Sequence, residues 1–346
     1  MMPDLRTISV GVIGTGGMGT RHVVNLHQHV SAVRVAAVYD FDHDRARQAA
    51  ALCGSATVFD DPLHLIQADA VDAVLIASPD ETHVDFVLEC LRQRKPVLCE
   101  KPLATTAADA AKIVAAEGEL GRRLVAVGFM RRFDPQHLAV RHVVESGTLG
   151  RAIMFKGVHR NATIQPHVTA AGVVISSASH DIDTARWLLG QEVIEVFVYG
   201  VRTRPSFSDA TRDMLLVQMS LSGDCVATME VFVAAEYGYE VAAEIVAERG
   251  TAVTMQPDYA LVRSQQTRSV PVPHDWLTRF QAAYVAELTD WARSMQTERA
   301  FAGASAWDGY MSLLATDACI ASLRSGAPVP VALPDKPSLY ATMTEV

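Results

Sequence analysis

Ile8-Ser9-Val10-Gly11-Val12-Ile13-Gly14-Thr15-Gly16-Gly17-Met18-Gly19 is the stretch whose reading decides the fold. Ile8–Ile13 is a short β-rich apolar run, a G-x-G-x-x-G turn follows it, and Arg21–His29 reads as a helix. Strand, glycine turn and helix in that order make a dinucleotide-binding unit. Gly14 permits the tight turn, Gly16 lets the backbone approach a pyrophosphate, and Gly19 lets the helix pack on the strand. The helix N-terminus supplies N–H groups and partial positive charge for the phosphates. The next apolar run, Val33–Tyr39, ends on Asp40, about 20 residues on, where an acid can accept hydrogen bonds from both hydroxyls of the adenosine ribose. Asp40 would repel a 2′-phosphate, which favours NAD; Arg45 and Arg47 nearby keep NADP as the lesser alternative. A glycine turn without ligand is the competing reading.

Working outward, the alternation continues. His43–Cys53 reads as a helix and Val71–Ala77 as a strand closed by Ser78-Pro79. His83–Arg94 is helical, Val97–Cys99 a strand, Ala107–Glu117 a helix and Leu124–Val127 a strand. This rhythm predicts a parallel sheet with helices on both faces. Thr15, Gly17 and Met18 in the turn, Ser78, Glu100 and Lys101 join the glycines and Asp40 as cofactor-binding candidates. Beyond Gly128 the rhythm changes. Ala152–Val158 reads as a strand and Ser176–Leu189 as a helix. Val193–Tyr199, Met214–Leu221, Val226–Val233, Tyr239–Ala247 and Thr251–Met255 then follow as strands, which predicts an antiparallel sheet. Helices over Trp276–Met295 and Ala304–Leu323 and an extended, proline-rich surface tail end the chain. We expect domains at 1–128 and 129–346, an α/β fold throughout.

The 346 residues suit two domains. A net charge of −9 argues against a nucleic-acid footprint or an anionic membrane surface. No apolar run approaches a membrane span. The five cysteines are scattered without a C-x-x-C pair, which suggests neither a zinc site nor a disulfide framework and suits a reducing cytoplasm. His22, His27 and His29 have no evident metal-ligating partners.

Only five residues are lysine, against 30 lysines and arginines together. Arginine cannot release its proton whereas a buried lysine can, so Lys101 in Glu100-Lys101-Pro102 suggests proton chemistry beside a nicotinamide. On that residue alone, an ordinary strand-end lysine is the alternative. Ser176, His180, Asp183 and Thr184 are spaced to share one helix face, with Leu188 continuing the stripe. Such a polar patch suits a substrate with several hydroxyls; a solvated face, or Ser176 and Ser177 as N-caps, is the alternative. Hydride transfer from a secondary alcohol needs a base for the O–H proton, and Lys101 and His180 are the candidates.

Taken together, these residues resemble the Gfo/Idh/MocA oxidoreductases, most closely their bacterial inositol dehydrogenase branch. The likeness runs along nearly the whole chain. It rests on G-V-I-G-T-G, C-E-K-P-L-A-T-T (Cys99–Thr106), G-F-M-R-R-F-D (Gly128–Asp134) and H-R-N (His159–Asn161). H-D-I-D (His180–Asp183), Y-G-Y-E (Tyr237–Glu240), A-W-D-G-Y (Ala306–Tyr310) and T-D-A-C (Thr316–Cys319) complete it. The resemblance implies a Rossmann domain, then an α/β domain with a large, mostly antiparallel open sheet that builds homo-oligomers, dimers or commonly tetramers. It implies oxidation of a cyclitol hydroxyl to a ketone with NAD. It makes Lys101 and His180 catalytic and sets Arg131, Asn161, Asp183 and Tyr239 around the ring hydroxyls. The family's inositol enzymes carry an aspartate four residues before the histidine; Ser176 stands there in this chain. That leaves open an inositol enzyme relying on Lys101 and His180, a dehydrogenase of another cyclitol, aminocyclitol or pyranose, an NAD-dependent glycosidase, and an NAD-binding sensor without turnover.

Overall fold

The computed structural model describes residues 6–54, 56–164, 168–255 and 261–341. In chain order it opens with β1 (Ile8–Ile13), α1 (Gly17–His29), β2 (Val33–Tyr39), α2 (His43–Leu52), β3 (Thr57–Val58) and α3 (Pro62–Gln67). There follow β4 (Ala73–Ile76), α4 (His83–Arg92), β5 (Val97–Cys99), α5 (Ala107–Leu120) and β6 (Val125–Val127). The strands run 6-5-4-1-2-3 across one sheet, every adjacent pair parallel. This is the doubly wound order, and it reverses between β1 and β4, where such sheets bind ligands beyond the strand C-termini. The strands β4, β5 and β6 read as unbroken apolar runs because helices cover both faces. Asp42 caps α2, Asp61 caps α3 and Thr106 caps α5 through their side-chain oxygens.

The chain continues through α6 (Pro135–Glu145), β7 (Ala152–Arg160), α7 (Ala170–Val173), one π-turn (Val174–Ala178) and α8 (Ser179–Leu189). Next come β8 (Val193–Val201), β9 (Met214–Leu221), β10 (Cys225–Phe232), β11 (Glu240–Ala247), β12 (Gly250–Val253) and a hairpin of β13 (Val262–Ser264) and β14 (Thr267–Ser269). Last are α9 (Trp276–Thr297), β15 (Ala304–Ser305), α10 (Ala306–Ser325) and β16 (Val329–Pro330). The second seven-stranded sheet runs 12-11-7-10-9-8-16 and is antiparallel except for the β7–β10 pair. Strands β9 and β11 alternate strictly in burial, and one face of the sheet packs on α8 through Ile182, Ala185 and Leu188.

Two compact units result. The first runs to Phe133 and takes in Ala282–Leu313 and the chain from Pro334; the second is Asp134–Gln281 with Leu314–Leu333. The chain after Gly128 thus contributes to both units. The reason is packing: Leu288, Trp291 and Ala292 of α9 are buried with Val10, Val35 and Leu98 in the core of the first unit, and β15 adds an antiparallel strand beside β6. The tail expected on the surface is also anchored. Tyr340 is buried, stacks on Trp307 and hydrogen-bonds the buried Glu117. Burial pushes the pKa of Glu117 up against the hydrogen bonds it accepts from Tyr340 and the Val125 and Leu124 amides, and burial with the neighbouring carboxylate pushes Tyr340 up. The helix expected over Ser176–Leu189 starts instead with the π-turn, and Thr169, rather than Ser176 or Ser177, caps the preceding turn of helix.

Candidate active site

In the first unit, Gly14 lies at φ +86°, the left-handed region that favours glycine. A Cβ on Gly19 would lie 1.8 Å from the Gly14 carbonyl oxygen, so only glycine lets α1 start here. At Gly16 and Gly17 a Cβ would meet nothing within 4 Å. The turn is closed where α1 meets β1 and open on the other side. Among the described residues no side chain caps the N-terminus of α1. An open glycine cradle at an uncapped helix start fits a pyrophosphate. Thr15 and Met18 lie within it. Thr15 also holds Asp40: its N–H and hydroxyl donate to Asp40 Oδ2 at 2.6 and 3.2 Å, and the Asp42 N–H donates to Oδ1 at 2.9 Å. A carboxylate has about four lone-pair sites, so Asp40 retains acceptor capacity for a ribose hydroxyl.

The Glu-Lys-Pro turn leaves β5 one strand away from β4. Glu100 sends Oε1 to His22 Nε2 (2.7 Å), a fully buried ring on α1, and its Oε2 accepts the Lys101 N–H at 3.2 Å. The sequence reading left His22 without a role. Its signal was periodicity, since Gly19, His22, Val23 and Leu26 form the buried stripe of α1. Lys101 is half-buried. Burial lowers its pKa from the ordinary lysine value; Glu100 and Asp80 oppose that shift and Arg131 adds to it. Arg131 was expected with the substrate groups of the C-terminal domain, but it is a buried residue of the first unit, in the short turn Met130–Phe133. Ser78 follows β4, its hydroxyl 2.6 Å from that of Thr82.

The second unit carries the other expected residues. Asn161 directly follows β7. Its backbone extends the ladder to Phe232 and Ala235, while its side-chain Oδ1 is buried with no hydrogen-bond partner among the described residues. A buried acceptor in that state favours a donor from outside the chain. His180, the second residue of α8, is half-buried, Asp183 is fully buried 3.8 Å from Arg186, and Thr184 donates to the His180 carbonyl at 2.7 Å. Ser176 is exposed in the π-turn, its hydroxyl 3.5 Å from that of Ser177. The expected polar stripe is thus graded from exposed Ser176 to buried Asp183 and Thr184. Tyr239 is buried, its ring edge-on to His159 and Phe280. His159 Nδ1 meets Asp181 Oδ2 at 2.7 Å, both buried, and ties β7 to α8; sequence reading passed over this pair.

Comparison with known proteins places the chain in a family. The family model described as "Oxidoreductase family, NAD-binding Rossmann fold" (GFO_IDH_MocA) matches residues 8–129, and "Oxidoreductase family, C-terminal alpha/beta domain" matches 141–331. The chain belongs to the Gfo/Idh/MocA oxidoreductase family. An inositol 2-dehydrogenase of Rubrobacter xylanophilus is 50% identical over 346 residues, covering 100% of this chain and 99% of its own. Inositol 2-dehydrogenase 2 of Saccharopolyspora erythraea is 44% identical, covering 97% and 99%. Among solved structures, the myo-inositol dehydrogenase of Lactobacillus casei in complex with NAD(H) and myo-inositol superposes with a TM-score of 0.93 at 29% identity, covering 97% of this chain and 100% of that one. As a Gfo/Idh/MocA protein the chain takes NAD.

Proposed function

We propose that this chain is an NAD-dependent cyclitol dehydrogenase that oxidises a ring secondary alcohol of myo-inositol or a related inositol to an inosose ketone. The observation that carries the reading is Lys101, a half-buried lysine in the turn that leaves β5, whose burial favours the neutral amine against the pull of Glu100 and Asp80. NAD supplies the hydride acceptor; the chain supplies the rest. Asn161, Asp183, Tyr239 and Arg131 offer donors and acceptors to ring hydroxyls. Lys101 and His180 take the hydroxyl proton as the C–H bond gives up its hydride, so the products are ketone, NADH and one proton. Positioned acid–base groups of this kind contribute about 10²- to 10⁴-fold in rate. Asp40 selects NAD over NADP, since its carboxylate would face a 2′-phosphate.

Ser176 cannot carry the charge that the family's aspartate places near the histidine, so Lys101 and His180 work without that relay. The protein acts in the cytoplasm, and no helix among the described residues is long and apolar enough to cross a membrane. It works as a homo-oligomer, dimer or tetramer, built through the open face of the second sheet. Tyr199, Leu216, Glu230, Val158 and Ala242 are register partners there, with Tyr199 53% and Leu216 38% exposed.

The test is a panel of inositols, aminocyclitols and pyranoses with NAD and with NADP, read as kcat/KM for the wild type, Lys101→Met and His180→Ala. Net NADH from a free inositol, lost in both variants with NADH binding intact, is expected. Sugar release from a glycoside without net NADH would replace the reading with a glycosidase. NADH binding without turnover on any member would replace it with a sensor. Normal turnover by Lys101→Met would remove the lysine from the chemistry.

A further inference from the structure

His83, the first residue of α4, is 1% exposed and lies outside every motif of the sequence reading. Its Nδ1 is 2.7 Å from the Pro102 carbonyl oxygen and its Nε2 is 3.0 Å from the Ser78 carbonyl oxygen. Both partners only accept, so the two contacts are both hydrogen bonds only with a proton on each ring nitrogen. Pro102 is the peptide neighbour of Lys101, so the first contact anchors the turn that bears the amine. Ser78 packs on the glycine turn: a Cβ on Gly14 would lie 2.5 Å from the Ser78 nitrogen. The second contact therefore anchors the peptide that backs the dinucleotide loop. One imidazole bridges the chain segments leaving β4 and β5.

We propose that His83 is a positioning residue for the dehydrogenase reaction, holding Lys101 through Pro102 and the coenzyme turn through Ser78. It rests on the dehydrogenase reading above. A buried histidine that merely filled space would tie the two loops to the same loss. A clamp with two separate tethers lets them be parted.

The experiment uses the full chain with His83→Asn, His83→Gln and His83→Leu. The asparagine amide nitrogen falls near the position of Nδ1 and keeps the Pro102 tether; the glutamine amide nitrogen falls near Nε2 and keeps the Ser78 tether. His83→Asn is expected to keep kcat within about twofold and to raise KM for NAD and Kd for NADH. His83→Gln is expected to keep NADH affinity and to lose kcat by about 10- to 100-fold, the scale of a misplacement of about 1 Å. His83→Leu loses both. Reactivity of Lys101 toward an amine-acylating reagent, read by peptide mapping without substrate, rises in His83→Gln and not in His83→Asn. Should the wild type oxidise no cyclitol, the dehydrogenase reading fails while NADH affinity and Lys101 labelling still judge the clamp. Equal changes in the asparagine and glutamine variants, through unfolding included, or an unaltered His83→Leu, overturn it.

Discussion

At Lys101 three influences compete, and their signs make a test. Burial disfavours the cation and lowers the pKa; the carboxylates of Glu100 and Asp80 favour it; the Arg131 guanidinium disfavours it again. The lowering wins. The base form is therefore populated at lower pH than for a free lysine, whose pKa is about 10.4. Activity should rise with pH through a limb set by this amine. Glu100→Gln removes the largest opposing influence, so it should move that limb to lower pH, read as kcat/KM against pH. A limb shifted upward, or left in place, would mean that another group titrates there. Ser176 is the second residue-scale question. It is exposed, so a carboxylate placed there keeps its water and costs little stability. Ser176→Asp should raise kcat/KM for myo-inositol by restoring a charge near His180, with an unchanged melting temperature. A loss of activity would mean that the site has been re-shaped for a different ring.

Among elements, the glycine turn and α1 separate what binds from what folds. Gly16→Ala places its methyl in open space and Gly19→Ala drives one into the Gly14 carbonyl. Overpacking of this kind costs about 1–3 kcal/mol. Gly16→Ala should leave the melting temperature alone and weaken NADH binding, because the methyl takes the room meant for phosphate; Gly19→Ala should lower both. Equal NADH affinity in wild type and Gly16→Ala would remove the pyrophosphate from this cradle. The turn was legible in sequence because its glycines answer to local geometry. So were β1, β2, β5 and β9, whose residue ranges coincide with the expected ones, since a strand covered on both faces shows as an unbroken apolar run and one covered on one face as alternation. What stayed hidden depends on distant partners. The short α3 is too brief for periodicity to show. The π-turn before His180 has no sequence signature, and such insertions tend to sit at functional sites. His22, His83 and the His159–Asp181 pair are ordinary in sequence; only the fold brings Glu100 to the first, the Ser78 and Pro102 carbonyls to the second, and α8 against β7 for the third.

Over the whole molecule, neither unit is a continuous piece of chain: Ala282–Leu313 joins the first and Leu314–Leu333 the second. The nucleotide-binding sheet depends on residues more than 150 positions downstream of it: Trp291 is 2% exposed in the same core as Val10 and Leu98. Trp291→Ala should cost about 3–5 kcal/mol, as truncation of a large buried aromatic does. If the first unit includes α9 beyond Gln281, that loss must appear in coenzyme binding: NADH should stabilise the variant to a lower final melting temperature, and thermal loss of NADH fluorescence should precede that of wild type by several degrees. A truncation of equal chemistry in the second core, Phe155→Ala, where the ring is 1% exposed, should lower the overall melting temperature while leaving NADH affinity at 25 °C close to that of wild type. If Trp291→Ala and Phe155→Ala weaken NADH binding alike, the downstream helix is no part of the coenzyme-binding core, and the two-unit division drawn from packing fails.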